Sequence, residues 1–348
     1  MVMATILALA SCTQPADNAQ QWSQQRVNQW YDQLPWLAGC DYIPATAINQ
    51  IEMWSDSTWD APQIEKELTW AQELGFNTLR VYLSSVVWQS DSTGMKRRMG
   101  QFLDICHRHG IRPMFVFLDD CWNAEAHYGP QPAPKPGIHN SGWVQDPSVS
   151  LRADTTMLYS TLKAYVQDIL KAFATDERVL MWDIYNEPGN SQHGTESLPL
   201  VKKMFEWARE VGPSQPLTVG VWDPKLGELN QFQLTHSDVI SFHCYGTPSD
   251  MQQCIDSLKV WNRPLVCTEY MARKNGSTFQ TVMPVLKQGR VAAINWGFVA
   301  GKTNTIYAWD TPIADGSEPE LWFHDILRPD GTPYSQAEVD TIRSLTRR

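Results

Sequence analysis

The chain has 348 residues, of which 43% are hydrophobic and 19% charged, with a formal net charge of −10. That balance supplies a sizeable core and excludes intrinsic disorder, and an acidic surface that repels phosphate backbones argues against nucleic acid as a partner. The length is generous for one ordinary domain but fits a single α/β barrel, which runs from about 200 to more than 400 residues.

Met1 to Ala10 is almost entirely apolar and leads into Leu9-Ala10-Ser11-Cys12. The stretch is too short to span a bilayer as a helix. It resembles a bacterial lipoprotein signal with its lipobox, in which small residues before the cysteine admit the peptidase and Cys12 becomes the lipidated first residue. The resemblance implies a secreted protein of the cell envelope, anchored to a bacterial membrane through Cys12, in the periplasm or at the cell surface. The segment departs from the pattern in lacking Lys or Arg before the apolar run. Residues 13–35 follow as a polar tether rich in Gln, Asn and Ala, with an N-terminal helix.

From residue 36 short apolar runs alternate with amphipathic stretches. The runs at 37–41, 76–82, 111–118, 179–185, 216–221, 238–243, 264–268 and 292–298 read as strands. Helical periodicity marks 62–74, 94–109, 154–174, 198–211, 248–260, 278–289 and 335–346. Near-continuous apolar strands suit a parallel sheet covered on both faces. Strand-helix alternation with eight strands predicts a single (β/α)₈ TIM barrel over residues 36–348. No GxGxxG follows the first strand, which removes the best reason to prefer an open doubly wound sheet. Long loops at 119–153 and 299–334 follow the third and eighth strands, on the face where barrels carry their sites.

Several features stay structural. Lys96-Arg97-Arg98 is a solvated helix face, and His107 and His109, two apart on a helix, cannot share a face. The seven cysteines show neither a CxxC pair nor a zinc spacing, and those in apolar runs pack as small hydrophobes. Most of the 16 tryptophans are core, although flat indoles also suit sugar rings. Trp122, Trp143 and Trp309 lie on the long loops, where a sugar-stacking role competes with a core role.

Two segments carry the chemistry. The apolar run from Val179 ends in Asn186-Glu187-Pro188, and Pro188 cannot extend a ladder. On a regular strand Asn186 and Glu187 would face opposite ways, so both reach one ligand only if the chain has left the strand. Likewise Pro264-Leu265-Val266-Cys267-Thr268 runs into Glu269. Strands four and seven stand across a barrel mouth, so their terminal carboxylates can converge. A carboxylate pair about 5–5.5 Å apart supports a covalent glycosyl intermediate, and about 6.5–9.5 Å admits a water and inversion.

This pairing resembles clan A of the glycoside hydrolases, closest in style to family 5 cellulases and mannanases, over residues 36–346. The resemblance implies a retaining hydrolase of β-linked poly- or oligosaccharides, working without cofactor or metal. It makes Glu187 the general acid/base and Glu269 the nucleophile. It further implies that Arg80 keeps the nucleophile ionised, Asn186 binds the sugar 2-hydroxyl, Tyr245 hydrogen-bonds the nucleophile, and Trp296 floors the sugar under attack. His243 stands beside Tyr245 at the end of strand six. One departure is plain: the family usually ends strand three with a His, where this chain has Phe117-Leu118-Asp119-Asp120-Cys121-Trp122. Asp119 and Trp122 are then the substrate contacts expected there.

The same roles set an expectation for proton affinity. Glu187 should be raised by burial and by Glu269, and Glu269 kept ionised by Arg80 and Tyr245. Two other classes compete. A catalytically inactive carbohydrate-binding lipoprotein of a glycan-utilisation system would not need the acid–nucleophile pairing. A metal-dependent lyase on the same barrel would need a ligand cluster, for which Asp119-Asp120 is the sole hint.

Overall fold

The computed structural model describes residues 20–347; Cys12 and the signal-like segment lie outside them. Its strands are β1 (Ala38–Asp41), β2 (Thr78–Tyr82), β3 (Arg112–Val116), β4 (Met181–Asp183), β5 (Leu217–Thr218), β6 (Ile240–His243), β7 (Leu265–Glu269) and β8 (Ala292–Asn295). Each overlaps the apolar run expected for it. All pair in parallel, in the order β5-β4-β3-β2-β1-β8-β7-β6. Val221, just past β5, closes the ring by a parallel bridge to Phe242. There Val221 N donates to Ser241 O and His243 N to Val221 O, both at 3.0 Å. The architecture is a single (β/α)₈ TIM barrel. The apolar runs overshoot the ladders because hydrophobicity reports burial rather than pairing: Val179, Leu180, Ile184 and Tyr185 flank β4 and are all buried.

The helices are α1 (Gln24–Asp32), α2 (Gln50–Trp54), α3 (Ala61–Glu73), α4 (Ser85–Arg108), α5 (Val149–Arg152), α6 (Thr155–Phe173), α7 (Leu198–Val211), α8 (Gly227–His236), α9 (Pro248–Lys259), α10 (Met283–Gln288) and α11 (Gln336–Thr346). In α6 the Asp154 side chain caps Met157 N, and Leu158, Leu162, Tyr165, Val166, Ile169, Leu170 and Phe173 bury one face. Such a stripe stabilises by roughly 1.5–3 kcal/mol per fully buried large side chain. Helix α4 starts earlier than its expected 94–109. Asp91 is non-helical at φ −153° and its carboxylate caps Gly94 N at 2.9 Å, so the periodic part restarts near the expected position. Helix α10 is shorter than 278–289, and α8, which buries Leu229 and Gln233, has too few apolar positions to announce itself.

Helix α1 closes the end of the barrel where the strands begin. Its Val27 and Tyr31, with Trp22 and Leu37, pack against Met114, Leu180, Met181, Val239, Val266, Ala292 and Ile294. Trp22 N donates to Asp238 Oδ1 at 2.7 Å and the Tyr31 hydroxyl to Arg290 O at 3.0 Å, which fixes both ends of the plug. The opposite mouth, at the strands' C-terminal ends, is left for the site. Among the described residues no helix is long and apolar enough to cross a membrane.

Candidate active site

The ladder of β4 ends at Asp183, and the chain then turns so that Asn186 and Glu187 reach the same cavity. Glu187 adopts a left-handed φ of 41°, a strained conformation for a residue with a side chain. Asn186 is held by two oriented bonds: Arg80 Nη2 donates to its Oδ1 at 2.7 Å, and its Nδ2 donates to Asp119 Oδ1 at 2.8 Å. A donor on one side and an acceptor on the other leave one sensible amide orientation.

Glu269, the last residue of β7, receives three donors. Arg80 Nη1 lies 2.8 Å and the Tyr82 hydroxyl 3.1 Å from Oε1, while the Tyr245 hydroxyl lies 2.6 Å from Oε2. Burial and the negative charge of Glu269 push the Tyr245 phenol well above its ordinary value, so it stays a neutral donor. Arg80 is fully buried and also pairs with Asp41 at 2.9 Å and Asp183 at 2.8 Å. Burial works against its charge, but Tyr82, Asp183, Asp41 and Glu269 together keep it protonated. Burial in turn pushes Asp41 well above the usual carboxylate range and raises Asp183, against the pull of Arg80.

Glu187 and Glu269 converge with His243: one ligating atom of each lies within 4.8 Å of the others. His243 Nδ1 is 2.7 Å from Glu187 Oε1 and 3.5 Å from Glu269 Oε2. Cys121 Sγ donates to Glu187 Oε2 at 3.2 Å and Asn190 Nδ2 to the same oxygen at 2.5 Å. The expected rise in the Glu187 pKa is not what the geometry gives. Burial does push it up, but the bond and charge of His243, with the Cys121 and Asn190 bonds, outweigh burial and leave it below the ordinary value.

The cavity above these groups measures about 380 Å³, at the small end of the roughly 300–1,000 Å³ common for ligand sites. Of the residues expected at the site, Glu187, Glu269, Asn186, His243, Tyr245, Trp296, Asp119 and Trp122 line it, and Arg80 lies directly beneath. Trp143 and Trp309 line it too. Trp143 also has the core role that competes with sugar stacking: it is buried, and its Nε1 donates to Asp119 Oδ2 at 2.6 Å. Asp119 is thereby an orienting residue, since Cys121 N and Asn186 Nδ2 occupy its other oxygen. Burial raises it to about 7.

Asp120 points elsewhere. It binds Arg152, the Tyr185 hydroxyl, Gly189 N and Ser197 Oγ, and braces the loop behind Glu187. The Asp119-Asp120 pair therefore forms no ligand cluster. Among the described residues, the group close enough to share an ion is Glu187, His243 and Glu269. A cation there would sit against the Arg80 guanidinium and compete with three existing donors to Glu269, which disfavours it electrostatically. The arrangement instead suits proton transfer and nucleophilic attack. Tyr82, Asp41, Asp183, Asn190, His139 and Trp222 also belong to the site or its support, and the sequence reading assigned them no role.

Comparisons with known proteins bear on the family and the fold. No curated protein matches the chain in sequence. Solved structures resemble it in fold. A GH5_18 protein from Streptomyces cattleya in complex with GlcNAc superposes with a TM-score of 0.62 at 13% identity, covering 90% of this chain and 80% of that one. An exo-beta-1,4-mannosidase from Opitutaceae bacterium strain TAV5 gives 0.61 at 18% identity, over 89% and 59% of the two chains. The hyperthermostable endo-1,4-beta-D-mannanase from Thermotoga petrophila RKU-1 gives 0.57 at 13% identity, over 89% and 99%. The family model for cellulase, glycosyl hydrolase family 5, matches residues 44–301. With a barrel of this topology, one carboxylate just past its fourth strand and another ending its seventh, the chain belongs to glycosyl hydrolase family 5.

Proposed function

We propose that this glycosidase hydrolyses β-linked oligo- or polysaccharides with retention of configuration. The observation that carries the reading is that one oxygen of Glu187 and one of Glu269 lie within 4.8 Å of each other, which supports the closer, retaining arrangement of two carboxyl groups over the wider, inverting one. In the first step a Glu269 oxygen attacks the anomeric carbon and forms a glycosyl ester. The glycosidic C–O bond breaks, and Glu187 gives its proton to the leaving oxygen. In the second, Glu187 takes a proton from water, whose oxygen attacks the same carbon and releases Glu269.

The 2.7 Å bond between Glu187 and His243 supports this exchange. It holds the Glu187 carboxyl in one orientation through both steps. The Asn186 amide is held rigid for the sugar 2-hydroxyl, and Trp296 offers a flat face beneath the ring. Because a mannosidase and a mannanase stand among the structural relatives, β-1,4-mannosides head the substrate panel, beside β-1,4-glucosides. We further propose that the enzyme is secreted and tethered to a bacterial membrane through Cys12.

Azide rescue on activated aryl β-glycosides tests both roles at once. Glu269→Ala with azide should yield the α-glycosyl azide, and Glu187→Ala the β-glycosyl azide. Turnover that survives Glu269→Ala without azide would sink the mechanism. A carbohydrate-binding protein without catalysis has no observation in its favour, since every expected catalytic partner of Glu269 is in hydrogen-bonding contact with it.

A further inference from the structure

The mouth of the barrel is closed over one arc. The loop after β3 and the loop after β8 leave strands separated in the ring by β2 and β1. They meet nonetheless. Asn140 N donates to Thr303 O at 2.8 Å and Ile313 N to Gly137 O at 3.1 Å. Asn304 Nδ2 donates to Lys135 O at 2.8 Å and to Ile138 O at 3.2 Å. His139, buried beneath the join, is held neutral because burial lowers it to about 4, and its Nδ1 faces Tyr307 O at 2.9 Å. The loop after β1 braces the bridge at both ends: Asn49 Nδ2 donates to Gly142 O at 2.8 Å, and Lys302 N to Ala45 O at 3.0 Å.

The bridge shows aromatic rings to the cavity. Trp122 and Trp309 flank His139, with ring centroids 5.7 and 6.5 Å from it, and keep 43% and 37% of their surfaces exposed. Over β5 and β6 the rim is lower: β6 passes into α9 through residues 244–247 and β5 into α8 through residues 219–226, segments too short to arch across. Glu187 stands on this second side, with Asn190 and Trp222.

We infer that the enzyme is exo-acting, holding one non-reducing-terminal sugar against the bridge and releasing it singly. This rests on the hydrolase reading above, and the polarity follows from chemistry. The acid must face the leaving oxygen, so the leaving chain lies toward the Glu187 side and exits over the open arc. The sugar under attack lies over Trp296 with the bridge behind it. A further sugar on its far side would have to pass through Trp122, His139 and Trp309. A chain threaded across the mouth, as internal cleavage needs, has nowhere to run.

The test uses the whole enzyme on p-nitrophenyl β-D-mannoside and β-D-glucoside, and on borohydride-reduced β-1,4-mannohexaose and cellohexaose. Turnover of any of the four substrates reports hydrolase activity. Exo action predicts the free monosaccharide as the first product from the hexaose, with the reduced end shortening one unit at a time. Turnover of aryl glycosides with di- or trisaccharides as first products overturns the inference and leaves the hydrolase standing. No turnover of any of the four overturns both. A variant adds a second readout. Gly137 has φ +71°, and a Cβ there would meet Ile313 O at 1.8 Å, so Gly137→Val should loosen the bridge. Products longer than one sugar should then appear early. If that variant does not fold, the wild-type product pattern alone decides.

Discussion

Tyr82 and Tyr245 grip opposite oxygens of the Glu269 carboxylate, at 3.1 Å on Oε1 and 2.6 Å on Oε2. A hydrogen bond to a charged group contributes about 1.5–3 kcal/mol, so losing one that persists to the transition state costs roughly 10- to 150-fold in rate. Tyr245→Phe and Tyr82→Phe should each lower kcat/KM on an aryl β-glycoside within that range, the former more because its bond is shorter. Two Phe variants as fast as wild type would remove both hydroxyls from the mechanism.

Arg80 is the shared cation of Asp41, Asp183 and Glu269. Deleting one partner of a buried ion pair typically costs about 3–5 kcal/mol, because the remaining charge is left uncompensated. Arg80→Met should therefore lower Tm by roughly 10 °C and abolish turnover. Arg80→Lys keeps the charge but not the planar fork, and should fold while losing at least about 100-fold in kcat/KM. Calorimetry beside kinetics separates the two effects; a Met variant with unchanged Tm would show the cluster to be of no structural consequence.

His243 holds Glu187 below the ordinary carboxylate value, against burial. In the proposed mechanism the acid form of Glu187 starts the reaction, so its deprotonation would set the alkaline limb of kcat/KM. His243→Ala removes the bond and the charge that pull it down. The limb should then move to higher pH, together with a fall in rate from the loss of positioning. A limb that stays in place would mean that Glu187 is not the group being titrated.

Burial raises Asp119 to about 7 and Asp146 and Asp325 to about 6, whereas an unfolded Asp titrates near 3.9. Between those values the folded state binds more protons than the unfolded one. The stability these groups contribute is complete below about pH 4 and is lost as pH rises through 6 to 7. Thermal unfolding should give a higher Tm at pH 5 than at pH 8. A Tm that is flat or rises across that range would contradict the assignment.

What the sequence made legible follows from where barrels place their chemistry. Glu187, Glu269 and Tyr245 sit at or just past the ends of apolar runs, and Arg80 is a lone charge inside one, where a polar residue is conspicuous. Tyr82 was within reach of the same logic, since it stands two residues beyond Arg80 on one strand and so on the same face. Asp41 likewise announces itself as an acid closing an apolar run, and Asp183 as a lone acid within one. The role of Asp119 was not legible. It depends on Trp143 and Asn186, which meet it only after the long loop folds back. The direction of the Glu187 shift depends on His243, which no local pattern connects to it. The bridge between the two long loops is a contact between segments with no periodicity at all.

The plug formed by Trp22 and α1 fixes where a leash would be attached. The chain enters at the end of the barrel opposite the mouth, and from Cys12 to Trp22 it can reach at most about 35 Å. If Cys12 carries lipid as proposed, the tether would leave from the base, so the anchor and the mouth would lie at opposite ends of the barrel.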